Sequence, residues 1–118
     1  MNRRYSIGYL TAEATKIVEA ERNESIVLRD FFFCNTVNNN HYITVYHVPA
    51  GETPDDRFSL YNLYQLTGDT TTALTDVRVH LAPGDSIWAF ADTATKIVLT
   101  AYGTSSTAAT NPFMDRDG

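Results

Sequence analysis

A single cysteine, Cys34, stands in the 118-residue chain, so no intramolecular disulfide can form. Set in Phe31-Phe32-Phe33-Cys34 with no basic neighbour to activate the thiol, it reads as a small buried hydrophobe. A lone cysteine suits a reducing compartment or assembly inside a cell. No apolar run approaches the roughly 20 residues that a membrane helix needs. Arg3 and Arg4 near the start are not followed by the apolar stretch of a secretory signal. Cations are in the minority, nine Lys and Arg against 14 Asp and Glu, for a net charge of −5. An acidic surface repels phosphates, which argues against nucleic acid and anionic membranes as partners. Strong helix formers never gather into a long periodic stretch, so little helix is expected.

What remains is a β-rich composition. Hydrophobic residues make up 43% and charged residues 19%, an ordinary balance for one globular domain of this length. Seven Tyr, six Phe and one Trp stand among many Val, Ile and Thr residues, the types that fit a pleated, half-buried surface. Strands are expected at Tyr5–Leu10, Thr15–Glu19, Ile26–Cys34, Tyr42–Val48, Phe58–Leu66, Val77–Leu81, Ser86–Ala91 and Lys96–Tyr102. Phe58–Leu66 also has a helix-compatible face in Phe58, Tyr61 and Leu66, but its place between two turn signals favours strand. Asn35–Asn40 reads as a hairpin loop, and Asp92–Ala94 as the turn of a hairpin joining the last two strands. Ala82-Pro83-Gly84-Asp85 reads as a tight turn in which Pro presets one dihedral and Gly permits the next. Ala20–Ser25, holding Glu21, Arg22, Asn23 and Glu24, is a polar turn, and Glu52–Arg57 a polar loop. Ala14-Thr15-Lys16-Ile17-Val18 recurs as residues 94–98, which we read as two strands meeting the same half-buried environment rather than as a repeat.

About eight short, evenly spaced strands predict an all-β fold: a single-domain antiparallel β-sandwich, jelly-roll-like. The domain spans 1–118, with short arms expected at residues 1–5 and 104–118. Arg3, Arg4 and Tyr5 at one end, and Phe113, Met114 and Arg116 at the other, are candidate interface residues, because Arg and aromatic side chains are favoured interface anchors.

Catalytic and metal-binding patterns are not found, and no cofactor is expected. His41 and His47 share a strand face but stand about 20 Å apart at 3.3 Å per residue, too far to hold one metal. A cupin motif needs a second histidine two residues from His47, and none is there. Asp55, Asp56, Asp69, Asp76 and Asp85 lack the alternating spacing of a calcium loop. No Gly-x-Ser-x-Gly elbow and no phosphate-cradling glycine loop occur. Tyr46, Tyr61, Tyr64, Trp88 and Tyr102 could form a sugar-stacking platform if exposed on one face, and would then make the chain a carbohydrate- or receptor-binding module.

An ordered set of segments runs from Gly8 to Gly103: Ala14–Ala20; a central strand closing in Asn35-Thr36; a strand closing in Val48-Pro49-Ala50-Gly51; Asn62-Leu63-Tyr64; and Leu81-Ala82-Pro83-Gly84-Asp85-Ser86-Ile87. The set resembles small β-sandwich structural proteins of tailed bacteriophages, of capsid decoration (cement) or tail-accessory type. Phe31–Phe33 departs from that family's Val-rich strand. The resemblance implies a non-enzymatic virion protein, assembled in the host cytoplasm, that stabilises the shell through contacts with the major capsid protein. A tail, neck or fibre component is the rival within the class. A homo-oligomer is implied, with a trimer suited to three-fold positions of a shell.

Overall fold

A computed structural model of the chain describes residues 2–107. Among them nine strands form: β1 (Asn2–Tyr9), β2 (Thr15–Glu19), β3 (Glu24–Asn35), β4 (His41–Val48), β5 (Ser59–Leu66), β6 (Thr71–Leu74), β7 (Val79–Leu81), β8 (Ser86–Ala91) and β9 (Ile97–Thr107). One 3-10 turn, Asp56–Phe58, precedes β5, and the Asp55 carboxylate accepts from the Arg57 N–H at its start. All pairings are antiparallel. One sheet runs β1-β9-β3 and then carries both β6 and β7 along the far edge of β3; the other runs β2-β8-β4-β5. Apart from β4–β5 and the β6–β7 pair, successive strands alternate between the two sheets, which is the winding of a jelly roll. The expected all-β sandwich is therefore the observed fold.

Period-two alternation explains why these residues form these strands. In β9, Ile97, Leu99 and Ala101 are fully buried while Val98, Thr100 and Tyr102 face outward. In β8, Ile87, Ala89 and Ala91 enter the core, with Trp88 and Phe90 on the other side. In β3 the parity changes midway. Ile26 and Leu28 point inward before Arg29-Asp30, and Phe31 and Phe33 after it. The register against β9 jumps at that point, from Leu28 opposite Gly103 to Asp30 opposite Tyr102, so Arg29 is the extra residue of a β-bulge. Without it, one half of β3 would turn its apolar side chains to water.

The bulge also divides the neighbouring strand. β7 pairs with Ile26–Leu28 and β6 with Phe31–Cys34, on either side of it. The connection between them docks onto the bulge itself: the Val77 N–H donates to the Arg29 carbonyl at 2.9 Å and the Asp76 N–H to the Asp30 carboxylate at 3.2 Å. Asp76 and Arg78 have positive φ, so the strand expected over Val77–Leu81 begins only at Val79.

Three expectations are corrected. Ser86–Ala91 and Lys96–Tyr102 form no hairpin, since β8 and β9 lie in different sheets; nor is Asn35–Asn40 a hairpin loop, since it carries the chain from one sheet to the other. The arm expected at residues 1–5 is strand from Asn2 onward, and that expected from residue 104 is strand as far as Thr107. The polar start of β1 is tolerated because it lies at a sheet edge, where water meets one side.

Buried polar side chains hold the crossings. Asn35 is 1% exposed; its amide donates to the carbonyls of Asn39 (2.8 Å) and Leu66 (3.2 Å), and its oxygen accepts from the Val37 N–H (3.2 Å). At the other end, the Pro83-Gly84 turn closes as expected, with Gly84 at φ +90° and an Asp85 N–H to Ala82 carbonyl bond of 2.9 Å. The Asp85 carboxylate accepts from the backbone N–H groups of Ala50 and Ala82, both at 3.1 Å. Asn35→Ala strands these buried groups and is expected to cost about 2–3 kcal/mol, read as a lowered urea midpoint with unchanged m-value. An unshifted midpoint would mean that the crossover is held by other contacts.

Candidate functional site

Arg3, Arg4 and Tyr5 sit in regular pairing on β1, opposite Gly103, Ala101 and their neighbour on β9, and therefore alternate in direction. Tyr5, opposite Ala101, packs against the core; Arg4, opposite Tyr102, faces outward. Arg3, opposite Gly103, reaches the Glu24 carboxylate at 3.5 Å and lies with its guanidinium 5.5 Å from the Tyr5 ring centroid. The three do not act as one sticky patch. Phe113, Met114 and Arg116 lie outside the described residues.

A surface depression of about 640 Å³ opens on the outer side of the five-stranded sheet. Arg3, Arg4, Arg29, Asp30, Tyr102 and Thr104 line it. Register explains the gathering: Arg4 stands beside Tyr102, Tyr102 stands beside Asp30, and the bulge adds Arg29. Gly103 brings β9 close to β3 at this point, because a Cβ there would lie 2.5 Å from the Val27 carbonyl oxygen. The Tyr102 ring, 41% exposed, meets Phe32 edge-on with centroids 5.5 Å apart. Arg4 and Arg29 are exposed and make no ion pair or side-chain hydrogen bond with any described residue. Sequence reasoning found Arg3 and Arg4, and named Tyr102 only as one ring of a stacking platform; it missed Arg29 and Asp30. The available signal was the polar pair Arg29-Asp30 interrupting an otherwise apolar strand.

Beneath this face lies Glu24, expected in a polar turn but 6% exposed at the start of β3. One carboxylate oxygen accepts from the Glu21 N–H at 2.9 Å; the other meets the Ser105 hydroxyl and Arg3. The Glu21 N–H, then the Ser105 hydroxyl, hold its pKa below the ordinary 4.5; burial opposes them and Arg3 adds to them. The carboxylate thus ties β1, β3 and β9 together. A depressed carboxylate pKa stabilises the fold above the ordinary value, and that contribution is lost as pH falls through the folded-state value. Glu24→Gln keeps the shape but not the charge. It is expected to lower stability by about 1 kcal/mol at pH 7, the gap narrowing only as pH falls below 4.5 and closing once pH is under the depressed folded-state value, as followed by urea midpoints across pH. Parallel curves would remove Glu24 from the account.

The other sequence candidates are dispersed. His41 meets Asp92 at 2.9 Å and His47 meets Asp85 at 3.4 Å, at opposite ends of β4, while His80 is exposed on β7. No group of three or more His, Cys, Asp or Glu side chains is placed to hold a metal among the described residues. Cys34, half-buried, is paired with Val98 and lies on the outer side of β3 rather than in the core. The five aromatic candidates divide three ways. Tyr46 and Trp88 stand opposite each other on the outer side of the four-stranded sheet, where Lys16 lies 5.6 Å from the Trp88 ring. Tyr61 and Tyr64 pack against the core, with Tyr61 edge-on to Phe31. Tyr102 belongs to the other sheet.

Compared with known protein families and with curated proteins, the chain matches no family model and no curated sequence.

Proposed function

We propose that the chain is a structural protein of a tailed-bacteriophage virion, a capsid cement or decoration protein that works through protein–protein contacts. The observation that carries this reading is the jelly roll itself, with its interior filled by side chains and exposed apolar residues on both outer sides. Phe31, Phe33, Leu28, Ile87 and Leu99 are fully buried between the sheets. Outside, Tyr9, Val27 and Tyr102 are exposed on the five-stranded sheet, and Tyr42, Leu60 and Leu63 on the strands of the other. Jelly rolls recur in viral shells, and the ordered segments from Ala14–Ala20 to Leu81–Ile87 resemble the phage proteins described above.

On this reading the major capsid protein is the partner, and each copy adds a standard contact of about 800 Å² per partner. Binding at many sites on one shell sums such contacts into resistance to internal pressure. Apolar exposure on opposite sides lets a copy touch both the shell and its own neighbours, as a homotrimer on a three-fold position requires. A tail, neck or fibre position uses the same faces on a different partner.

Co-sedimentation of the purified chain with mature phage capsids lacking it tests the proposal, with the mass of the free protein measured by light scattering. Saturable binding at many copies per particle, a rise in capsid heat resistance and a trimeric mass are expected. Retention on tails or on a cell-surface glycan, with no capsid binding, would overturn the cement role.

A further inference from the structure

We infer that the depression over Arg4, Tyr102 and Arg29 is a docking site for an acidic, extended peptide segment of a partner protein, whose carboxylates it takes on the two guanidinium groups. The inference deepens the proposed function by giving the partner's contact a chemistry, but the site stands on its own geometry.

Three observations converge. The chain is acidic, at −5, yet this one depression collects three of its nine cations. Arg3 is committed to Glu24, whereas Arg4 and Arg29 make no ion pair or side-chain hydrogen bond among the described residues, Arg29 only feeling the Asp76 carboxylate at longer range. The one carboxylate in the depression, Asp30, is turned to its own chain, accepting from the Asp76 N–H at 3.2 Å. Arg29 is also the extra residue of the β3 bulge, the device by which sheets re-aim a side chain at their surface.

Geometry selects the occupant. Arg4 and Arg29 are rooted on β1 and β3 with β9 between them, about 10 Å apart at the usual strand spacing of about 4.8 Å. Alternate residues of an extended peptide lie about 7 Å apart on one side, within reach of two flexible arginines. Guanidinium groups bind carboxylates in bidentate fashion, and the exposed Tyr102 ring between them offers an apolar contact. The depression opens on the outer side of the sheet, along which a strand-like segment can lie.

The test is fluorescence anisotropy of a fluorescein-labelled hexaglutamate peptide with the full chain. Saturable binding that is lost in 0.5 M NaCl, where the Debye length falls to about 4 Å from about 30 Å in 10 mM buffer, is expected. Arg4→Glu and Arg29→Glu should each weaken it at least about tenfold, and Arg4→Lys less. Arg22→Glu, which makes the same charge change at an exposed position elsewhere, should alter it by less than about threefold. Absence of binding, or an equal loss in Arg22→Glu, would overturn the inference, as would variants that change only self-association. Capsid co-sedimentation of the same variants separates the two readings. Capsid binding that survives Arg4→Glu and Arg29→Glu sinks this inference and leaves the cement role. Peptide binding without capsid binding does the reverse.

Discussion

Everything in this fold hangs on the pairing of β3 with β9. These are the two longest strands, and they run together from Glu24 opposite Thr107 to Asn35 opposite Ile97. The partners are far apart in sequence, so the pairing cannot form as a local hairpin and must await collapse of the chain between them. Once formed, it gives β1 an edge to join, gives β6 and β7 another, and supplies core residues that include Phe31, Phe33, Leu99 and Ala101.

The apolar residues of β3 fall in two phases, Ile26 and Leu28 before Arg29-Asp30 and Phe31 and Phe33 after it, whereas β9 beside it keeps one phase. The Arg29 bulge reconciles the two strands by shifting the phase once. Its consequences spread outward: the neighbouring strand breaks into β6 and β7, the Thr75–Arg78 connection docks on Asp30 and Arg29, and the positive φ values of Asp76 and Arg78 follow from that docking. The same phase shift leaves a charged pair on the outer side of an otherwise apolar strand. The core's packing requirement and the surface chemistry of the depression therefore have one cause.

This explains what could be read from the sequence. Strand positions were legible because alternation is local: Thr15–Glu19 and Ser86–Ala91 begin and end where the pattern says, and Pro83-Gly84 turns as its dihedrals demand. Sheet membership was not legible. Alternation in Lys16, Trp88 or Val98 records that one side is wet, not which strand lies alongside, so crossings between sheets looked like hairpins. The start of β1 was hidden because an edge strand tolerates Asn2, Arg3 and Arg4, and β6 because its Thr71-Thr72 start continues a threonine-rich loop. Of the candidate site, Arg3 and Arg4 were visible as charges. Glu24 and Arg29 were not, nor was the place of Tyr102 between the arginines, because β1, β3 and β9 meet only in the tertiary fold.

The sandwich also constrains where binding can occur. Two sheets packed face to face with Phe, Leu and Ile between them leave little room for a ligand inside. The exposed residues are of the kinds that proteins meet: Tyr102 edge-on to Phe32 with arginines to either side, and Leu63, 61% exposed at a φ of +53° on an edge strand. A bulky residue held in that left-handed conformation is strained, and the Leu63 N–H bond to the Thr44 hydroxyl at 3.2 Å helps to hold it there. Strain of this kind, spent on displaying an aliphatic side chain to solvent, makes sense when a partner covers it. The two outer sides would then serve two different contacts: a charged, aromatic one on the five-stranded sheet, tuned by ionic strength, and an aliphatic one along β5, indifferent to it. Under the proposed cement role, contacts that respond differently to salt can assemble in sequence rather than compete.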